Sequence, residues 1–266
     1  MIRIVVAVII ICILLQILRR KYIRNPDKCD ISKNGFKRLS IFTSDEVNYM
    51  KVLVANGDIT EVKKFISEHW NMNQHITSLL GGEYVFHDYV LALTSTPIHT
   101  CHRDNNGDKF NKSQLHPSYT IIVYLEPVEN CLNVINGSHK HYVGAYLNDP
   151  TQGIKCSVGD AILFDANLYH GGALGNDPRN LRIQMKISHI DDLNTLSFYQ
   201  NYNKILDKDA KTSKNLRYIQ KHLSCQYPVV SDITNSEHKG KEPSSIVKYF
   251  SNLFYGDSNF YNLKNV

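Results

Sequence analysis

The sequence predicts a mainly β protein with flanking helices: a double-stranded β-helix (jelly-roll) core preceded by one N-terminal transmembrane helix. Three observations predict it. Short runs of β-branched and aromatic residues recur from Glu83 to His189, broken by Gly, Asn and Pro, which is the pattern of a double-sheet β architecture. Histidines and a carboxylate stand near the ends of these runs. An apolar run, Ile4 to Leu18, opens the chain.

As a helix that first run covers about 25 Å at ~1.5 Å per residue, slightly short of a ~30 Å hydrocarbon core. It is followed by Arg19-Arg20-Lys21-Tyr22-Ile23-Arg24, where a signal peptide would show a small-x-small cleavage site. The expectation is an uncleaved single-pass anchor over residues 1–20. The cationic cluster behind it places the downstream domain in the cytosol by the positive-inside bias. Of 30 Lys/Arg and 25 Asp/Glu, nine and two fall in residues 1–40, leaving 21 against 23 beyond. The remainder is near neutral, so the pI of about 8.7 is no argument for a nucleic-acid partner. Residues 21–40 read as a basic juxtamembrane linker against anionic headgroups.

A core over residues 41–190 follows. Thr43-Ser44-Asp45-Glu46 has the signature of a helix start, and a second helical stretch runs near Ile59 to His69. Glu83 to Leu93, Ser118 to Leu125, Leu132 to Ile135 and Ala161 to Phe164 read as strands, with Gly153 to Asp160 as a turn region. Arg182-Ile183-Gln184-Met185-Lys186-Ile187 alternates with period two, aliphatics on one face and long polar side chains on the other. Residues 191–266 read as a helical extension, with helical spacing over Leu196–Leu206, Lys214–Leu223 and Ser244–Phe254 around a polar stretch at 231–243. Six cysteines without a CxxC predict free thiols in a reducing compartment. The sequons at Asn111 and Asn136 are expected to stay unglycosylated.

The chemistry is carried by His102-Arg103-Asp104, then His170, then Arg182. Residues i and i+2 of a strand share a face, so His102 and Asp104 can reach one ion, and His170 can close the set from another strand. Two imidazoles and one carboxylate are the donors of a facial triad for non-heme Fe(II), with open positions for O2 and a chelating co-substrate. Arg182 supplies a planar cationic fork for a carboxylate. A second pair, His189-Ile190-Asp191, has no His-then-Arg order behind it and is set aside as an iron site.

These residues resemble the Fe(II)/2-oxoglutarate-dependent oxygenases, and within them the phytanoyl-CoA dioxygenase-like group. The likeness rests on His102-Arg103-Asp104, Asn136-Gly137-Ser138-His139-Lys140, Val158-Gly159-Asp160, His170-Gly171-Gly172 and Arg182, and covers roughly Ile41 to His189. It implies His102, Asp104 and His170 as iron ligands. It implies Arg182, or Arg179, as the anchor of the distal carboxylate of 2-oxoglutarate; Arg182 is preferred because it lies inside the alternating strand. Thr120 matches a polar contact to the same co-substrate. The implied activity is hydroxylation of a C–H bond by O2 with release of succinate and CO2, on a small-molecule, lipid or protein substrate. Two alternatives stand beside it. One is a prolyl-hydroxylase-like protein hydroxylase, which would use a lysine anchor such as Lys186. The other is a jelly-roll scaffold without turnover.

Overall fold

A computed structural model describes residues 2–19, 21–94, 99–104, 114–140, 151–172, 180–206 and 212–227, with a few positions beyond. The elements in chain order are α1 (Ile2–Arg19), β1 (Lys21–Tyr22), α2 (Ile31–Asn34), β2 (Phe36–Ser40), α3 (Ser44–Asn56), α4 (Ile59–Ser67), α5 (Trp70–Leu80), β3 (Tyr84–Phe86), β4 (Tyr89–Leu93), β5 (Tyr119–Tyr124), β6 (Val128–Ile135), β7 (Thr151–Cys156), β8 (Asp160–Asp165), β9 (His170–Gly172), β10 (Arg182–His189), β11 (Tyr202–Leu206) and α6 (Lys214–Gln226).

Two sheets face each other. The larger runs β11-β4-β10-β5-β8-β2, with β3 also paired to β10; the smaller runs β1-β7-β6-β9. Period-two alternation sorts the larger sheet's side chains into two layers. Ile121 and Val123 of β5, Ala161 and Leu163 of β8, and Ile183, Met185 and Ile187 of β10 face α3–α5, where Val47, Met50, Val62, Ile66, Met72 and Ile76 cover them. Their strand neighbours Ile122, Tyr124, Ile162 and Phe164 face the smaller sheet and meet Leu132, Val134 and Ile154. On β10 the inward positions are Arg182, Gln184 and Lys186, so one strand lends its aliphatics to the helix layer and its polar side chains to the space between the sheets.

The start of α3 follows from local chemistry. Thr43 accepts from the Glu46 N–H, and the Glu46 carboxylate accepts from the Thr43 N–H, a reciprocal cap that satisfies two otherwise orphaned donors.

The N-terminal run is a helix, but the expected membrane anchor is overturned: no helix among the described residues is long and apolar enough to cross a membrane. The 18 residues of α1 span about 27 Å. They lie against α6, with Ile13 buried and the Cys12 thiol 3.7 Å from the Tyr227 hydroxyl. The anchor was read from the apolar run and the cationic cluster behind it, and the single-pass topology, the membrane as partner and the cytosolic placement derived from it fall with it.

The 21–40 stretch is not a linker. β1 pairs in parallel with β7, and β2 is an edge strand of the larger sheet, Phe36 opposite Phe164 and Ser40 opposite Asp160. The Leu196–Leu206 stretch, expected helical, forms a short 3-10 turn and then β11, which adds in parallel to β4. Cysteines expected as free thiols are paired, Cys101 with Cys225 and Cys131 with Cys156, leaving Cys12 and Cys29 free. The α5 helix had no counterpart in the sequence reading. Asn111, Arg179 and the 231–243 stretch lie outside the described residues.

Gly159 turns β7 into β8 with φ +84°, and a Cβ there would lie 2.2 Å from the Phe42 carbonyl oxygen. Gly159→Ala should therefore lower the urea midpoint of unfolding. The left-handed conformation alone costs about 1–3 kcal/mol for a non-glycine residue, and the backbone clash adds to it.

Candidate metal centre

The two candidate imidazole ligands are set side by side by the backbone. His102 and His170 form an antiparallel bridge: the His102 N–H donates to the His170 carbonyl at 2.8 Å and the His170 N–H to the His102 carbonyl at 3.0 Å. Their rings stand 4.4 Å apart. Each Nδ1 contacts a carbonyl two residues upstream, His102 that of Thr100 and His170 that of Leu168, both at 2.9 Å. A ring whose Nδ1–H is held by a carbonyl presents its Nε2 lone pair, the arrangement that orients metal-binding histidines.

Both Nε2 atoms turn toward Asp104 Oδ1, at 3.6 Å from His102 and 3.5 Å from His170. The three donors form a buried cluster able to hold one ion. Arg103, between the two ligands in sequence, alternates to the other side, stacks 4.2 Å over the Tyr169 ring and donates to its hydroxyl. The backbone N–H of Tyr169 in turn donates to Ser138 Oγ at 2.9 Å, so the serine of the Asn136-Gly137-Ser138 turn holds the strand start that carries His170.

The other carboxylate oxygen is clamped. Asp104 Oδ2 accepts from Lys186 Nζ at 2.6 Å and from the Thr120 hydroxyl, and Lys186 also donates to Thr120 Oγ1 at 2.9 Å. Lys186 and Thr120 are opposite one another in the β10–β5 register. Burial by itself would raise the Asp104 pKa; Lys186, His170 and His102 outweigh it and hold the carboxyl well below the usual range. Burial draws His170 down to about 4 against the pull of Asp104. At neutral pH the Asp104 carboxylate is thus ionised and the His170 imidazole neutral, the forms that bind a cation.

Sequence reasoning missed this role for Lys186 and gave Thr120 a different one. Thr120, expected against a co-substrate, is bonded to the Asp104 carboxylate. The signal for Lys186 was present, because it sits at i+4 from Arg182 on the same face of one strand.

Arg182 lies at the far end of the same cleft. Its register partners are Leu93 and Tyr124, those of Gln184 are Leu91 and Ile122, and then comes Lys186 beside Asp104. Four residues along a strand cover roughly 13 Å. The cleft between is lined by His102, Asp104 and His170 at one end and Arg182 at the other, with Leu91, Leu93, Ile122 and Leu132 among its walls. Arg182 is buried and donates to the Asn180 carbonyl at 2.9 Å, which fixes one edge of its guanidinium. Burial lowers its pKa, with Tyr124 opposing, yet a guanidinium keeps its charge in a protein.

Helix α6 backs the ligand segment. Besides the Cys101–Cys225 disulfide, the Cys101 N–H donates to Ser224 Oγ, His99 Nε2 meets Gln220 Oε1, and Lys221 Nζ donates to the Gly172 carbonyl.

Comparisons with known proteins were made on the sequence and on the fold. No protein-family model matches the chain, and no curated protein matches it. Solved structures do. The chain is similar to the non-heme α-ketoglutarate-dependent epimerase SnoN from nogalamycin biosynthesis, at 16% identity over 60% of this chain and 79% of that one, with a TM-score of 0.48. It is similar to EvdO2 from Micromonospora carbonacea var. aurantiaca, solved with 2-oxoglutarate, at 14% identity over 62% and 91%, TM-score 0.47. It is similar to the non-heme monooxygenase ThoJ, solved as a nickel complex, at 13% identity over 60% and 75%, TM-score 0.46. Likenesses this distant carry no assignment, which rests on the side chains themselves.

Lys186→Met should destabilise the metal-free protein by about 3–5 kcal/mol, the cost of leaving a buried carboxylate without its cation. A divalent ion then supplies the missing positive charge. The rise in melting temperature on adding Fe(II) under nitrogen should be larger in this variant than in the parent.

Proposed function

We propose that this protein is a non-heme Fe(II), 2-oxoglutarate-dependent oxygenase that oxidises a C–H bond of its substrate. One observation carries the proposal: a buried His102/Asp104/His170 donor set and a buried arginine occupy opposite ends of one largely apolar cleft. The donor chemistry fits iron, since two neutral imidazoles and one carboxylate leave several positions of an octahedral ion open. When bound, iron and 2-oxoglutarate supply the oxidation of the C–H bond by O2, with succinate and CO2 as by-products.

The protein's contribution is placement. His102 and His170 present Nε2 from a fixed backbone bridge. Lys186 and Thr120 occupy Asp104 Oδ2, which leaves Oδ1 as the donor and favours one-oxygen ligation. Arg182 grips the distal carboxylate of the co-substrate and so sets which end of it reaches the ligands. Leu91, Leu93, Ile122 and Leu132 keep water from the chain between the two carboxylates, which strengthens the arginine contact. Lys186 is engaged with Asp104, so Arg182 and not a lysine is assigned as anchor, which separates this site from the prolyl-hydroxylase arrangement. The retained donor set likewise favours turnover over a scaffold role.

Two experiments test the proposal. His102→Ala and His170→Ala should abolish stoichiometric Fe(II) binding and succinate release while the far-ultraviolet circular dichroism stays that of the parent; parent-like iron binding in either would refute the triad. Arg182→Ala should raise the concentration of 2-oxoglutarate needed for half-maximal succinate release by about 30-fold or more, corresponding to about 2–5 kcal/mol for a buried carboxylate deprived of its partner. Arg179→Ala should leave that concentration within a factor of two, and the opposite pattern would move the role to Arg179.

A further inference from the structure

The second His-x-Asp of the sequence, set aside as an iron site, is completed in the fold by a residue far from it in the chain. His189 ends β10, and Asp191 lies in the 3-10 turn that follows. His116 lies in the segment leading into β5. Its backbone is fixed there, because the buried Asp192 carboxylate accepts the N–H groups of both Leu115 and His116 at 2.8 Å. Asp191 Oδ2 stands 3.3 Å from His189 Nδ1 and 3.6 Å from His116 Nε2, and all three donor atoms lie within 4.8 Å of one another.

The remaining nitrogen of His189 is also placed. His189 Nε2 lies 2.9 Å from the Glu83 carboxylate. An Nε2–H donated to Glu83 leaves a lone pair on Nδ1, and the long 3.3 Å contact from the Asp191 N–H to Nδ1 requires the same tautomer. A carboxylate that holds the distal N–H of a histidine is the support that metal-binding imidazoles use. Asp191 is exposed and His116 half-buried, so water and ions reach the cluster. It lies on the opposite face of β10 from Lys186, away from the inner triad.

We propose that His116 Nε2, His189 Nδ1 and Asp191 Oδ2 form a second, surface site for a zinc-class divalent cation, with Glu83 as the outer carboxylate on His189. Separations of 3.3 and 3.6 Å suit neighbouring ligands around an ion bound at ~2.0–2.2 Å. The His116 and His189 rings are now stacked, 3.7 Å apart with 27° between their planes. Closing on an ion requires the half-buried His116 ring to turn so that both lone pairs converge, and His189 Nδ1 exchanges its weak contact with the Asp191 N–H for the metal. Three protein donors leave a fourth position for water. Bound there, the ion ties the segment before β5 to the end of β10, the two strands that carry Thr120 and Lys186. The site is independent of the function proposed for the inner triad.

The test is zinc titration of the full chain by competition with a chromogenic chelator. The parent should bind two equivalents, one at each cluster. His116→Ala, with its fold checked by circular dichroism, should bind one. In a His102→Ala/His170→Ala background one equivalent should remain. Adding Asp191→Asn to that background should weaken it at least tenfold, and adding Glu83→Ala instead should weaken it by about 10-fold, the scale of an outer-carboxylate loss. One equivalent in both the parent and His116→Ala, or two in both, overturns the proposal, as does loss of all zinc in the background variant with its fold intact by circular dichroism.

Discussion

Asp104 is a carboxylate almost wholly withdrawn from water, and much of the interior is arranged around that constraint. A buried charge is tolerated only when it is paired and hydrogen-bonded. Lys186 supplies a full opposing charge and Thr120 a hydroxyl to one oxygen, while the Nε2 atoms of His102 and His170 stand 3.6 and 3.5 Å from the other. Lys186 and Thr120 come from β10 and β5 and the histidines from the bridge segment and β9, so the whole cluster assembles only when both sheets are in register. The same pairing that makes the charge affordable leaves one oxygen and two lone pairs converging on a common point.

The division of labour along β10 follows from register. Arg182 and Lys186 share a strand face, are both cationic and are both buried, yet they serve different partners because they stand four residues apart. Lys186 falls beside Asp104, where a compact ammonium with three donors can bridge a carboxylate and a hydroxyl. Arg182 falls at the other end of the cleft, where its register neighbours are Leu93 and Tyr124.

Much of this was legible in the sequence because it rests on period-two patterns. β10 alternates strictly, so its faces could be assigned from residue type, whereas β5 and β8 are apolar on both faces and could be read only as strands; the candidate ligand pair stood out by its i, i+2 spacing. The capping box at Thr43 was legible for the same reason, being local. What was not legible depends on partners distant in the chain. Residues 21–40 carry enough charge to look like a linker, yet Phe36 and Leu39 are buried once β8 is beside them. Tyr202–Leu206 has apolar spacing compatible with a helix, and only the open edge of β4 makes it a strand. The cysteine pairs span 124 and 25 residues and follow no motif. The apolar run of α1 reads like an anchor, yet no helix among the described residues is long and apolar enough to cross a membrane, and its contact with α6 was not visible in composition.

The disulfide at Cys101 explains why a helix so late in the chain matters to the site. His102 is held by a two-residue bridge to His170 and not by a long strand, and the residues on either side of the 99–104 segment lie outside the described structure. Two backbone hydrogen bonds are a slight restraint for a ligand that must keep its Nε2 aimed at one point. Cys225 fastens the neighbouring residue covalently to α6. Ser224 takes the Cys101 N–H, Gln220 holds His99, and Lys221 reaches the Gly172 carbonyl two residues past His170. One helix therefore grips both arms of the bridge, from beyond each ligand. The placement of the donor cluster comes from that outer brace as much as from the sheet, because α6 is bonded to the segments on both sides of it.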